Sequence, residues 1–170
     1  GETGRINAAL FQIRTEDEIV VAGSSGGRTD YTNAGQTLRQ GLELAAESSL
    51  TRSLSVRGAL TFMRAVYDEA FATVESGNRI PGVPAVSAYA ELAWQPFAGL
   101  STAIEAVHRS KVQVNDNNDD RPAPAYTLVN LRLGAEQQSG PWTFNQLLRL
   151  DNVFDRKYVG SVIVGDRNGR

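Results

Sequence analysis

The chain is expected to be all-β, an antiparallel up-and-down meander of about seven strands. Three observations predict this. Apolar and polar residues alternate with a period of two over long stretches, and the connections alternate between short turns and long polar links. In addition, no apolar run approaches the roughly 18 residues that a membrane-crossing helix needs. Successive side chains of a strand point to opposite faces, so this alternation gives one apolar face and one wet face.

Taken in order, a first strand is expected from about Arg5 to Val21 and a returning one from about Asn33 to Leu50. The third runs from Leu54 to Tyr67, where Leu54, Val56, Gly58, Leu60, Phe62 and Val66 oppose Ser55, Arg57, Thr61 and Tyr67. The fourth, Ala85 to Trp94, sets Val86, Ala88, Ala90, Leu92 and Trp94 against Ser87, Tyr89 and Glu91. The fifth, Leu100 to Val114, sets Thr102, Ile104 and Ala106 against Ser101, Glu105, Arg109 and Lys111. The sixth, Ala125 to Gln137, sets Val129, Leu131, Leu133 and Ala135 against Asn130, Arg132 and Glu136, and the seventh runs from Trp142 to about Val159. Some residues break the pattern. Phe11, Ile13, Ile19, Val20 and Val21 keep no single parity, Gln146 sits on a mostly apolar side, and Arg64 interrupts an otherwise apolar face. Bulges, emergence above a membrane, and snorkelling near its rim each produce such breaks.

Turn-like links fall near Leu50 to Ser53, Gln95 to Gly99 and Gln137 to Pro141. Longer links rich in Gly, Asn, Asp and Pro fall at Gly23 to Thr32, Asp68 to Pro84, Asn115 to Pro124 and from Asp155 onward. Tight turns at one end and long loops at the other are the signature of an outer-membrane barrel, whose strands need only roughly 9 to 11 alternating residues to cross. An odd strand count leaves one edge unpaired, which lipid does not tolerate, so more chain is expected to close the wall. The 17 Lys and Arg residues nearly balance the 19 Asp and Glu, so no broad basic face invites nucleic acid. Cysteine is absent, which excludes disulfides and thiolate metal sites. Gly1 opens directly into the strand-like RINAALFQI rather than a signal peptide.

Glu43, Arg57, Glu91, Glu105, Arg109, Arg132 and Arg149 all share parity with polar neighbours. An Arg or Lys facing lipid at midplane costs about 2 to 4 kcal/mol, so these charges are expected on the lumen wall as a ladder of ion pairs. Glu91 and Glu105 also raise a glycosidase reading, but that needs a defined separation and a raised pKa, neither of which sequence supplies. In NDNNDDRPAP, Asp116, Asp119, Asp120 and Arg121 form an oxygen-rich cluster whose spacing does not match a calcium loop. It is expected as a solvated surface loop, with ligand contact as the alternative. His108, the only histidine, shares parity with Ile104 and Ala106 and is expected at the lipid-side rim. One histidine makes neither a triad nor a metal site. A lipid-hydrolysing enzyme built on His108 is therefore a weak third class; neither an enzyme nor a cofactor is expected. Trp94, Trp142 and Phe97 lie by the short turns, where an interfacial girdle is expected.

NVFDRKY, Asn152 to Tyr158, runs on into VGSVIVGDRNGR. It resembles the penultimate strand and last surface loop of TonB-dependent outer-membrane receptors. AALFQIRTEDEIVV, NAG followed by RQGLELAAE, and RIPGVPAVSAYAELAW resemble the late barrel strands of the same family, in the same order. The resemblance implies that residues 1–170 are the C-terminal segment of a 22-stranded transmembrane β-barrel, without its plug domain and final strand. It also implies import of a ferric siderophore or another scarce solute across the bacterial outer membrane, energised by the TonB complex through the plug, with outer-membrane lipid around the wall. The alternative is a free-standing barrel of about eight strands that binds a small hydrophobic ligand.

Overall fold

The computed structural model describes residues 4–25 and 28–162. Nine strands lie among them: β1 (Gly4–Glu16), β2 (Ile19–Ser25), β3 (Arg28–Asn33), β4 (Gln36–Ser49), β5 (Leu54–Tyr67), β6 (Val86–Phe97), β7 (Leu100–Arg109), β8 (Tyr126–Ser139) and β9 (Trp142–Leu150). No helix occurs among the described residues. Seven strands form one antiparallel sheet in the order β1-β4-β5-β6-β7-β8-β9, while β2 and β3 form a separate hairpin.

Period-two patterning fixes this sheet's register because a one-residue slip would move every side chain to the other face. Ile6, Ala46, Gly58, Ala90, Ala106 and Val129 form one continuous in-register row. These residues belong to the apolar face, on which Ile6, Leu10, Phe62, Leu92, Ile104 and Leu131 remain exposed. The short turns at the opposite end from the hairpin are tight. Thr51 Oγ1 accepts from the backbone N–H of Ser53 and Leu54 in the first. Gly99, at φ 83°, closes the β6–β7 turn where a Cβ would crowd the Glu136 carbonyl oxygen at 2.7 Å. Gly41 answers a different need, since a Cβ there would overlap the Phe62 carbonyl oxygen and the ring of Phe11, its β1 partner.

The apolar band is oblique to the strand rows. Its loop-side limit is marked on β1, β4 and β5 by the in-register row Gln12, Gln40 and Arg64. On β7 and β8 the limit falls at His108 and Thr127, which share a row with Ala8, four residues lower on β1. A drop of about 14 Å across five strand spacings of about 4.8 Å corresponds to strands tilted by roughly 30°. A band of constant height crossing strands at such a slant is what a bilayer imposes on a barrel wall, where tilts of about 35–45° are usual.

Three expectations are corrected. The first strand ends at Glu16 rather than Val21, because Asp17 takes a positive φ of 51° and turns the chain into β2. Gly23 to Thr32 lies mostly within the β2–β3 hairpin, not an irregular link; Val21 to Gly23 carries a register shift there. The last strand stops at Leu150, because Asn152 and Asp155 both adopt positive φ, 51° and 47°. The Asn152 side chain closes this turn by accepting from the Arg156 N–H at 2.9 Å and donating to the Arg156 carbonyl at 3.0 Å. Of the terminal run VGSVIVGDRNGR, the part from Ile163 onward lies outside the described residues.

Among the described residues the sheet does not close: β1 and β9 are its two edges. Apolar side chains such as Ile6, Leu10, Phe62 and Leu92 are exposed rather than packed into a sealed interior, so the free-standing ligand-binding barrel is not favoured. Among the described residues, a cluster of buried apolar side chains lies at the loop end, where Ala34, Tyr67 and Val74 pack with Val20, Phe71 and Ile80.

Candidate functional site

Two places gather polar chemistry, and the first is the wet face of the sheet. Glu91 on β6 and Glu105 on β7 stand directly opposite each other, each about nineteen-twentieths buried. Like charges facing across strands repel, so a shared cation is required. Arg132 on β8 supplies it, 3.1 Å from Glu91 and 3.1 Å from Glu105. Its cross-strand neighbours, Ala103 and then Ala93, are small and leave a trough along which the guanidinium reaches back over two strands. Arg149 on β9 continues the chain of charges, 2.9 Å from Glu105 and 2.8 Å from Asp151. Arg57 approaches Glu91 from the other side at 3.8 Å, and the Tyr89 hydroxyl donates to Glu91 at 2.9 Å. Followed contact by contact, the charges thus alternate from Arg57 through Glu91, Arg132 and Glu105 to Arg149.

Of the seven charged residues singled out by parity, the structure joins Arg57, Glu91, Glu105, Arg132 and Arg149 into this ladder. Glu43 and Arg109 share its face but stand apart: Glu43 is opposite Ala9 and Thr61, and Arg109 opposite Ser87 and Tyr126, with no ion pair among the described residues. The alternation put Tyr89 and Asn130 on the wet face without marking them as site residues, and it did not flag Asp151; the buried Asn130 side chain accepts from the Asn152 N–H at 2.9 Å.

The second place is the loop end, where the link after β5 meets the link after β7. Asp116 accepts from the buried Tyr67 hydroxyl at 2.5 Å, while its carbonyl accepts from Asn78 Nδ2 at 3.0 Å. Asn118, at φ 57°, clamps the backbone of Arg79 by accepting its N–H at 2.7 Å and donating to its carbonyl at 2.9 Å. Asp119 and Asp120 both accept from Asn115 Nδ2, the latter at 3.0 Å. The predicted cluster is therefore brought together, but its carboxylates turn mainly toward their own loop and toward Tyr67. Arg121 is exposed and has no hydrogen bond or ion pair among the described residues. No group of three or more metal-ligating side chains converges among the described residues.

Below the β2–β3 hairpin, Glu18 receives Arg39 at 2.6 Å and 3.0 Å and also the Thr37 hydroxyl. The Arg39 hydrogen bonds outweigh partial burial and hold the Glu18 carboxyl below its ordinary value, with Thr37 adding to the effect. Elsewhere, His108 shares a hydrogen bond of 2.9 Å with Thr127 on the apolar face, and Trp94, Phe97 and Trp142 are exposed at the short-turn end.

The family model for the TonB-dependent receptor-like β-barrel matches residues 1–153. The chain belongs to that family. TonB-dependent receptor barrels are proteins of the bacterial outer membrane, which is where this wall resides, and they are not enzymes. A ferrioxamine receptor from Yersinia enterocolitica is 33% identical over 167 residues, covering 95% of this chain and 22% of the relative. The chain thus spans about a fifth of the length of the curated relatives it matches. Among solved structures, the siderophore receptor PiuA from Acinetobacter baumannii superposes with a TM-score of 0.71 at 19% identity, over 92% of this chain and 22% of that one. The copper transporter OprC gives 0.76 at 17% identity, over 97% of this chain and 25% of that one. At such identities the two structures establish the shared TonB-dependent barrel fold alone.

Proposed function

We propose that residues 1–170 are the C-terminal part of the barrel of an outer-membrane receptor that imports a ferric siderophore. Its barrel would have 22 strands, and TonB would energise it through a plug domain. The observation that carries this reading is the 33% identity, across 95% of the chain, to a protein whose name specifies ferrioxamine. A hydroxamate siderophore of that kind is therefore the first cargo to test. In this reading the ladder Arg57, Glu91, Arg132, Glu105 and Arg149, together with Glu43 and Arg109, faces the water-filled lumen. This placement agrees with the cost of lipid-facing charge, about 2 to 4 kcal/mol at midplane. The loop carrying Asp116, Asp119, Asp120 and Arg121 meets the cargo outside the cell, with Asp116 positioning the loop through Tyr67 and Arg121 free to make contact.

The test is uptake of radiolabelled ferric ferrioxamine by iron-starved cells carrying or lacking the intact receptor. Uptake should disappear with the gene and return with it, and Arg121→Gln should weaken binding of the complex to the purified receptor by several-fold. Normal ferrioxamine uptake in the deletion strain, together with loss of growth on another iron source, would remove the cargo assignment.

A further inference from the structure

The run NVFDRKY has no task in the cargo reading, and it does not extend the wall. Asn152, at φ 51°, donates its backbone N–H to the buried Asn130 side chain at 2.9 Å, and the Val153 N–H donates to the Val129 carbonyl at 2.8 Å. The Asn152 carbonyl accepts from the N–H of Asp155 at 2.9 Å, and Asp155 itself sits at φ 47°. Two positive-φ residues thus turn the chain off the end of β9. Asn130 stands opposite Glu105 on the charged face, and Tyr126 has the same parity on β8, about 14 Å nearer the loops. The chain climbs that face. The Tyr158 ring lies against the Tyr126 ring, with centroids 4.7 Å apart and planes at 38°. Val162 reaches the link after β5, where a Cβ on Gly82 would lie 3.4 Å from the Val162 Cγ2. No hydrogen bond or ion pair holds residues 157–162 among the described residues, and Tyr158 is 46% exposed. The segment is therefore a strap that rests on the ring pair and on Val162. Beside the ring pair the face is open: Tyr126 is opposite Arg109, and the row continues through the short side chains of Ser87 and Thr61. Arg109 is exposed and has no ion pair among the described residues, in contrast to Arg132 and Arg149.

We infer, on the reading that the receptor imports an iron chelate, that Tyr158 is an internal competitor for the cargo. It occupies the face of Tyr126 on which a planar group of the chelate stacks, and loading swings the strap away about Asn152 and Asp155. Hydroxamate and catecholate groups are both planar and conjugated, shapes that pack on a tyrosine ring. Arg109, the cross-strand neighbour of Tyr126, then meets their oxygen atoms with guanidinium N–H donors. An aromatic pair is worth about two- to tenfold in an equilibrium, enough to keep the empty site covered and little enough for a chelate to displace. By covering the site in most molecules, the strap lowers the apparent affinity by that same factor of about two to ten.

The test uses the intact receptor in detergent. Photo-oxidation couples tyrosine rings that touch, so the unloaded receptor should give a dityrosine link between Tyr126 and Tyr158, identified by mass spectrometry of the digest. Saturating ferric ferrioxamine B should suppress that link severalfold. Tyr158→Ala should tighten binding of the complex by about two- to tenfold, chiefly through faster association, whereas Tyr126→Ala should weaken it. Opposite signs mark a competitor, because two residues that merely support the fold weaken binding together or not at all. Absence of the link in the unloaded receptor, or unchanged or weaker binding by Tyr158→Ala, would overturn the assignment. If Tyr158→Ala fails to give the folded, heat-modifiable barrel, Tyr158→Gln is read by the same criterion. A ferric catecholate complex serves as the comparison arm. Suppression of the link by the catecholate and not by ferrioxamine would count against the hydroxamate cargo and uphold the competitor, whereas a link undiminished by either complex would overturn the competitor.

Discussion

The wall and the loop end solve the same problem, satisfying polar groups without a conventional core, by opposite means. In the wall, backbone groups pair across the strands, so the charged side chains are left to satisfy one another, and they do so as the alternating series from Arg57 to Arg149. At the loop end there is little ladder, and side chains take the place of a neighbouring strand: Asn118 pairs with both backbone groups of Arg79, and Asn78 with the carbonyl of Asp116. The small apolar cluster around Tyr67 and Val74 lies beneath these loops and not within the wall. The charged face of the sheet is thus held by charge and register, whereas the loop end needs both a core and amide clamps.

The sharpest way to break this contrast is Arg132→Met in the intact receptor. It strips two buried, mutually facing carboxylates of their shared cation, and breaking such a buried arrangement costs about 3–5 kcal/mol. The urea midpoint of the barrel should fall accordingly, and adding Glu105→Gln should recover much of the loss. A change below about 1 kcal/mol would mean that the ladder is decoration rather than support.

Asn118→Ala removes both bonds to the Arg79 backbone, worth about 2 kcal/mol at roughly 1 kcal/mol each. The effect should be confined to the loops, with faster amide exchange and proteolysis across residues 68–85 and unchanged exchange in β7 and β8. Faster exchange in those strands would show that loop and wall are one cooperative unit.

Acid offers a gentler probe. Because the Glu18 carboxyl sits below its ordinary value, its pairing with Arg39 contributes stability that is fully present above the unfolded value and is lost as pH falls through the lowered one. Exchange of amides in β2 and β3 should therefore accelerate only once pH falls below the ordinary carboxyl range, and Glu18→Gln should abolish that dependence. The smallest effect is expected for Arg5→Gln. Arg5 and Glu47 lie 3.8 Å apart with side chains 65% and 52% exposed, so stability should stay within about 0.5 kcal/mol of the parent.

Much of the wall was legible in the sequence, because a period of two assigns each residue a face with no knowledge of its neighbours. The tight turns were legible for a similarly local reason, since Gly99 and Gly140 supply the positive φ that short links need. What alternation does not carry is register between strands. That Glu91 and Glu105 face each other, or that Arg132 spans both across two alanines, depends on pairing that no single strand encodes. The β2–β3 hairpin was hidden because Gly23 to Thr32 is rich in Gly, Ser and Thr, whose turn chemistry masks the pairing of Ile19 with Asn33 and Val20 with Thr32. The end of β9 was misplaced because Asn152 reads as a strand residue until its side-chain bonds and φ value are seen. The Asn118 clamp joins residues 39 positions apart, beyond any local pattern.

In a closed barrel the bore is determined by strand number together with the stagger between neighbours. Arg132 grips carboxylates on two successive strands, so sliding β8 by one pairing step would carry its guanidinium about 7 Å from both. The pinned stagger holds the pairing of this seven-stranded stretch of wall. The strands of this stretch are therefore not free to slip past one another.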